Sequence, residues 1–455
     1  MSRTAARPPR PLPWADVAVA AWVAVLSWFV VQGADLLWVV ALGDRVRADG
    51  AVPDGIPFAS APQADWHNPI VLAELLLSAV DGLGTVALAA LQLVVVTAVL
   101  LTVLADGRRL GGSEGRGALV VTLVVVGAAS ALVVTRLPSL SLLPFVLAVA
   151  LMRRQHRAPG RGLWWLVPLY LVWGNLHGAV LVGLAVLGVF LVLSPGGGPL
   201  LRRVGVGLGC ALSLVVTSAG AATPAYYVSA LGNEAAARGT DLWARVDLGH
   251  PLDVALLLAA LVLLLLAARG RPPLWEWAAA AGLALGTASA ARNGVWLVLF
   301  LAAAAMRPRT PPSDDLASPP PPSRGRMLTA GALVAAALAG ALALVVRGPA
   351  AGAPGERFVA TVREVAAGRP VLAVEPLAET LARDGVTVWA ANPIDAFPRS
   401  VQADLLDFLH DGVVPRSADV EVVVVPRGQV RAASASGTWR TVRDLGDIVV
   451  LERVR

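Results

Sequence analysis

The sequence predicts a mainly α protein: a polytopic helical membrane bundle of about 11 spans, N-terminus inside and C-terminus outside, carrying a small C-terminal extracytoplasmic α/β domain. Three observations predict this. The 455 residues are 56% apolar and only 15% charged, and apolar runs long enough for a hydrocarbon core of about 30 Å recur along the chain. Arginines cluster between alternate runs. From residue 356 the composition changes to charged helical patterns alternating with short apolar runs.

The spans read as 15–32, 84–105, 118–135, 137–152, 163–174, 179–194, 204–219, 252–268, 274–290, 294–306 and 327–346. Arg3, Arg7 and Arg10 before the first run would also suit a signal peptide. With so many spans to follow, an uncleaved first span is the preferred reading. Inner ends are marked by Arg108, Arg109 and Arg116, by Arg153, Arg154, Arg157 and Arg161, by Arg202 and Arg203, by Arg269 and Arg271, and by Arg307, Arg309, Arg324 and Arg326. Such clusters set orientation, so the net charge of +6 calls for no nucleic acid. All 37 basic residues are Arg, a bias of a GC-rich bacterial genome rather than of mechanism. The single cysteine, Cys210, rules out a disulfide framework or a CxxC site.

Three runs, 118–152, 163–194 and 274–306, are basic at both ends and break near the middle at "TRLPS", "GNLHG" and "ARNG". The run 163–194 tests the count. If it crossed once, the arginines of 307–326 would lie outside, against the positive-inside rule. Each run is therefore read as a hairpin with an outward break. A half-run of about 16 residues rises only about 24 Å as helix, so the turns either stop below the surface and line a sunken cavity or are ordinary interfacial turns.

Two longer outer loops are expected, 33–83 and 220–251, the first with an interfacial helix over Pro69–Val80 whose Leu72, Leu75, Leu76 and Ala79 share a face. Inside, the Pro/Ser-rich segment 308–323 reads as a disordered linker. The bundle with its loops occupies 1–346, a linker 347–355, and the extracytoplasmic domain 356–455. Strands are predicted at 371–375, 386–391, 420–425 and 447–454 and helices at 376–384 and 400–411, giving a partly parallel sheet. No GxGxxG follows the first strand, and the domain has neither a P-loop nor an HExxH.

Inner loops carry mostly Arg, whereas the outer turns carry acids, His, Asn, Trp and Tyr, so the outer face is the candidate active face. Its candidates are Asp35, His177 and His67 for catalysis, and Arg136, Asn175, Arg292, Trp66 and Tyr226 for substrate binding. Ionisable groups bordering the apolar region are functional candidates by default. Asp35 could serve as a general base or hold a divalent metal ion, and the two arginines could grip a phosphate bidentately. Each residue also has a plainer reading. Asp35 would cap a helix, His177 would bond a neighbouring helix, and Asn175 would shape its turn. Arg136 and Arg292 would anchor span ends, and Trp66 and Tyr226 would be interfacial aromatics.

The order of features resembles a bacterial family of multi-spanning proteins in the GT-C glycosyltransferase-like superfamily, which take sugars from polyprenyl-phosphate carriers. The resemblance lies in "DLLWVVALGDRVRADGAVPDGIPFASAPQADWHNPIVLAELL", "TRLPSLSLL", "VWGNLHGAVLVGL", "SAARNGVW" and "TWRTVRDLGDIVVLERV". It implies an acidic catalytic or metal-binding residue in the first outer loop, by position Asp35. It further implies a membrane-lipid environment in the bacterial cytoplasmic membrane, a polyprenyl-phosphate-linked sugar donor and a cell-envelope acceptor. The family's Asn-Pro-x-Gly element is here only "TPAYY", its Glu-Trp pair is replaced by Asp241-Leu242-Trp243, and its Asp-x-Arg element appears as "NPIDAFPR". These departures keep open a non-catalytic assembly or glycan-binding protein of the same fold. A transporter ranks last, because span interiors are almost purely Ala, Val, Leu and Gly.

Overall fold

A computed structural model describes residues 12–84, 86–240, 243–309, 323–347 and 355–454. The expected linkers at 308–323 and 347–355 fall mainly outside the described residues, as do Arg3, Arg7, Arg10 and Asp241. Among the described residues, three helices are long and apolar enough to cross a membrane: Ala87–Arg109, Pro251–Arg269 and Met327–Val346. Of the shorter apolar helices, Trp14–Leu26 and Ala291–Ala305 pack against these, while Val180–Leu193 packs against helices Leu274–Ser289 and Ser139–Arg157. The Pro251–Arg269 helix turns Leu258, Leu261 and Leu265 outward. An apolar surface of this kind suits acyl chains.

The bundle is built around the Gly294–Ala305 helix, every residue of which is buried. Close approach is bought by small residues, as in membrane helix packing generally. At Gly294 a Cβ would stand 2.4 Å from Leu256 Cδ2, and at Gly127 one would stand 2.5 Å from Ala259 Cβ. Aromatic side chains fill the wider gaps. Phe190 meets Trp275 edge-on with centroids 5.2 Å apart, and Phe145 meets Trp296 at 5.2 Å. Such pairs add about 0.5–1.5 kcal/mol beyond area burial.

Several predicted spans are shorter as helices. The run 204–219 is helical only from Leu200 to Ala211 and then turns, because Ser213, Val215, Val216, Thr217 and Ser218 are weak helix formers. The 163–194 run forms helices Leu166–Gly174 and Val180–Leu193 around a turn at 175–179. At Gly174 a Cβ would lie 2.4 Å from Ser213 O. The turn thus sits directly on the shortened segment.

Arginines gather at one end of the bundle in a buried network. Arg153 Nη1 bonds Asp106 Oδ2 at 3.1 Å and Arg153 Nη2 bonds Phe300 O at 2.6 Å. Glu276 Oε1 lies 3.5 Å from Arg153 Nε and accepts from Arg307 Nη2 at 2.9 Å. Arg153, Asp106 and Glu276 side chains are each about 2–3% exposed. Nearby, Arg108 holds both Asp16 and Glu114.

The other end carries a second core that joins the first long loop to the C-terminal sheet. Helix Ala34–Asp49 packs against helix Val71–Asp81. Their backbones touch at Gly43, where a Cβ would stand 2.2 Å from Glu74 O. The expected apolar face of that second helix is not the one that packs. Ala73, Glu74, Leu77 and Ser78 are buried, while Leu72 and Leu76 are exposed. The polar members succeed because Asn68 satisfies Glu74 and Asp44 satisfies Ser78.

The sheet is mixed. Strand β3 (Val371–Ala373) runs parallel to β4 (Val422–Pro426), and β6 (Ile448–Arg453) lies antiparallel between β4 and β5 (Trp439–Asp444). The expected strand 386–391 makes only isolated bridges, Val388 pairing with Val371 and with Ala59. Its backbone is shared with the first loop: Val388 N donates to Phe58 O, and Val388 O and Trp389 O accept from Ser60 N and Ala61 N. The loop therefore covers the sheet edge, a common protection for an edge strand.

Candidate functional site

The site is assembled by two short strands that follow helices of the bundle, β1 (Val31–Gln32) and β2 (Val134–Thr135), paired in parallel. Gly33 N continues the ladder onto Thr135 O at 2.9 Å. This register sets Asp35, in the first turn of helix Ala34–Asp49, opposite Arg136. A Cβ at Gly33 would stand 2.7 Å from Asp35 Oδ1, so the residue before the helix must be small.

Asp35 Oδ1 and Arg136 Nε lie 3.6 Å apart, with side chains 18% and 28% exposed. The separation exceeds a hydrogen bond, and both atoms are buried without a hydrogen-bond partner. Burial raises the Asp35 carboxyl above its usual range, opposed by Arg136 and by the backbone N–H groups of Asp35 and Leu137. The helix N-terminus also favours the carboxylate.

His177 stands in the turn after Gly174. Its Nδ1 accepts from Ala179 N at 3.1 Å and lies 3.2 Å from Ser141 Oγ. Burial, then the charges of Arg292 and Arg136, push its pKa down to about 3. The imidazole is neutral at physiological pH. Arg292, in the break before helix Gly294–Ala305, is close enough to Arg136 for their charges to repel. Its guanidinium lies 3.9 Å from the Trp243 ring centroid, and Ala291 N bonds Ala244 O at 2.9 Å. Among the described residues Arg292 has no carboxylate partner. Asp35, Arg136, His177 and Arg292 are thus electrostatically linked, with two guanidinium charges against one carboxylate.

The remaining candidates lie differently. Asn175 Nδ2 donates to Leu171 O at 2.9 Å and Val216 O at 2.6 Å, tying the turn to the shortened segment. His67 is exposed and stands 3.6 Å from exposed Asp65, with no contact to Asp35 among the described residues. Trp66 is buried, with its indole N–H turned toward the Tyr226 phenol. Tyr226 faces Asp395 of the C-terminal domain and Trp66; burial, then Asp395, raises its phenol well above the usual range. Ser141 and Trp173 fall inside stretches that carry the family resemblance, and Trp243 and Asp395 inside its altered elements, but the sequence singles out none of the four as a site residue. They become neighbours only through the fold.

The chain offers few protein ligands for a divalent cation around Asp35, so water and substrate oxygens would complete any coordination at this carboxylate. Its charged neighbour is a guanidinium, and no group of three His, Cys, Asp or Glu residues gathers anywhere among the described residues. Hard cations take six or more oxygen ligands.

No family model and no curated relative matches the chain. Solved structures do. ArnT from Cupriavidus metallidurans, solved bound to undecaprenyl phosphate, matches at 15% identity and TM-score 0.54 over 96% of this chain and 98% of that one. Arabinofuranosyltransferase AftD from Mycobacteria matches at 16% identity and TM-score 0.48 over 97% of this chain and 40% of that one. The chain thus shares the overall fold of ArnT.

Proposed function

We propose that this protein is an integral-membrane glycosyltransferase of the bacterial cytoplasmic membrane. It transfers a sugar from a polyprenyl-phosphate donor to a cell-envelope acceptor, at the end of the bundle bearing the C-terminal domain. The observation that carries the reading is the cluster of Asp35, Arg136, His177 and Arg292, whose uncompensated positive charge asks for an anion. The fold likeness to a structure holding undecaprenyl phosphate supports a lipid phosphate as that anion.

In this reading the donor enters between helices with its phosphate against Arg136 and Arg292. The acceptor hydroxyl attacks the sugar's anomeric carbon as the bond from that carbon to the phosphate oxygen breaks, and the bond's electrons leave with the phosphate. The hydroxyl proton goes to Asp35, whose desolvated carboxylate is a stronger base than one in water. The guanidinium groups and the neutral His177 N–H stabilise the negative charge growing on the phosphate. No step requires a metal.

Transfer of labelled sugar from a polyprenyl-phosphate donor, measured in membranes containing the wild type or Asp35→Asn, tests this. Loss of about 10²–10⁴-fold in rate is expected for removal of a general base. An unaltered rate would retire Asp35 as the base, and no transfer by the wild type to any envelope fraction would favour the non-catalytic binding reading.

A further inference from the structure

His177 is held by a chain of donors. Trp173 Nε1 donates to Ser141 Oγ at 2.8 Å, and Ser141 Oγ lies 3.2 Å from His177 Nδ1. An indole N–H can only donate, so Ser141 accepts there and keeps its own proton free for another partner. Ala179 N–H points at Nδ1, at 3.1 Å. A backbone N–H can only donate, so Nδ1 is the bare nitrogen, and the Ser141 hydroxyl beside it is the donor of that pair. The start of the chain is rigid. Trp173 and Ser141 are fully buried, and the indole is set against Tyr170 and Phe145 with centroids 5.4 and 6.4 Å away. Gly183 leaves room for it, since a Cβ there would stand 2.3 Å from Trp173 Cζ3.

We propose that Trp173 and Ser141 are positioning residues that hold His177 as the Nε2–H tautomer, so that beside Arg136 and Arg292 it meets a ligand as a hydrogen-bond donor and never as a base. The proposal rests on the anion-site reading for its use, but the tautomer itself does not. The charged groups acting on the ring are Arg292 and Arg136, and both oppose an imidazolium. A ring nitrogen's tautomer is set by the bond its other nitrogen makes. Here the Ala179 N–H sets it and the Ser141 hydroxyl, held by Trp173, reinforces it.

The test is nitrogen NMR of the full-length chain in nanodiscs with ¹⁵N-histidine, the His177 signals assigned by subtraction of His177→Gln. The wild type is expected to show a protonated Nε2 and a bare Nδ1, unchanged from pH 8 to pH 5. Ser141→Ala should raise the protonation midpoint by a unit or more, and Ser141→Thr should restore it. Trp173→Phe keeps the ring but frees the Ser141 hydroxyl to reorient, and should broaden or shift the Nδ1 signal. A wild-type Nδ1–H tautomer, protonation near pH 6.5, or signals indifferent to all three substitutions would overturn the proposal. The wild-type spectrum decides even where a variant fails to fold. An intact tautomer without sugar transfer would count against the enzyme reading alone.

Discussion

Asp35 and Arg136 face each other at 3.6 Å with neither Oδ1 nor Nε hydrogen-bonded. An ion pair built for stability would close that gap, because leaving buried partners unsatisfied costs about 1–3 kcal/mol each. The parallel pairing of Val31–Gln32 with Val134–Thr135 sets the two groups opposite each other. Such open, desolvated pairs belong to sites that receive a third group. Gly33→Ala would bring a methyl to within 2.7 Å of the carboxylate. It should reduce transfer about 10-fold or more, a misplacement effect of the kind that small shifts at a reacting centre produce, with the melting temperature nearly unchanged. Parallel rate and melting curves check it.

Trp243 is expected to act through Arg292. A partly desolvated cation–π contact contributes about 0.5–2 kcal/mol, and the guanidinium sits 3.9 Å from the ring centroid. Trp243→Ala should weaken polyprenyl-phosphate binding by about 2- to 30-fold, and Trp243→Phe should recover part of it. Arg292→Lys should fail to do so even with the ring present, because an ammonium neither stacks nor forks onto phosphate. Titration with a short-chain polyprenyl phosphate reads all three.

The arginine network at the opposite end should matter for stability rather than transfer. Removing one member of a buried ion pair costs about 3–5 kcal/mol by stranding the other. Asp106→Ala, which leaves Arg153 to Glu276 and the Phe300 carbonyl, should lower the melting temperature sharply. The double substitution Asp106→Leu with Arg153→Met should recover much of the loss. Thermal unfolding in detergent separates the two outcomes.

Two buried carboxyls predict a pH dependence. Burial, then Glu375, pushes Glu379 up to about 8 from 4.5, and burial pushes Glu74 up to about 7, with Asn68 opposing. Both folded values lie above the unfolded ones, so between those limits the folded chain binds more protons than the unfolded chain. Stability is then fully present below pH 4.5 and is lost as pH rises through 7 and 8, at up to about 1.4 kcal/mol per pH unit for each group. Glu379→Gln keeps an acceptor for Asn392 and cannot ionise. It should melt higher than the wild type at pH 8.5 and nearly level with it at pH 5. Equal slopes for the two proteins would contradict the assignment.

Much of this organisation was legible in the residues. Apolar runs and arginine clusters mark a helical membrane protein, because water and hydrocarbon sort side chains by simple rules. The polar breaks at "TRLPS", "GNLHG" and "ARNG" drew attention to Arg136, His177 and Arg292 because polar groups are costly in such runs. Helix ends were not legible. Val215, Val216 and Thr217 are apolar enough for a span and too poor as helix formers to complete one. Nor was the packed face of helix Val71–Asp81, which buries Glu74 and Ser78 because Asn68 and Asp44 reach them from elsewhere in the chain. Trp173, Ser141 and Trp243 read as ordinary span or interface residues, since their partners lie about 30 to 50 residues away. Only the fold supplies those contacts.

The most direct test of the central claim is equilibrium binding of polyprenyl phosphate to the purified full-length chain, compared across wild type, Arg136→Ala, Arg292→Ala and the double variant. Charge-assisted hydrogen bonds to phosphate are each worth about 1.5–3 kcal/mol. Each single variant should therefore bind about 10- to 100-fold more weakly, and the double variant should bind almost nothing. Wild-type affinity in the double variant would show that the phosphate sits elsewhere, and the account of this cluster would fall.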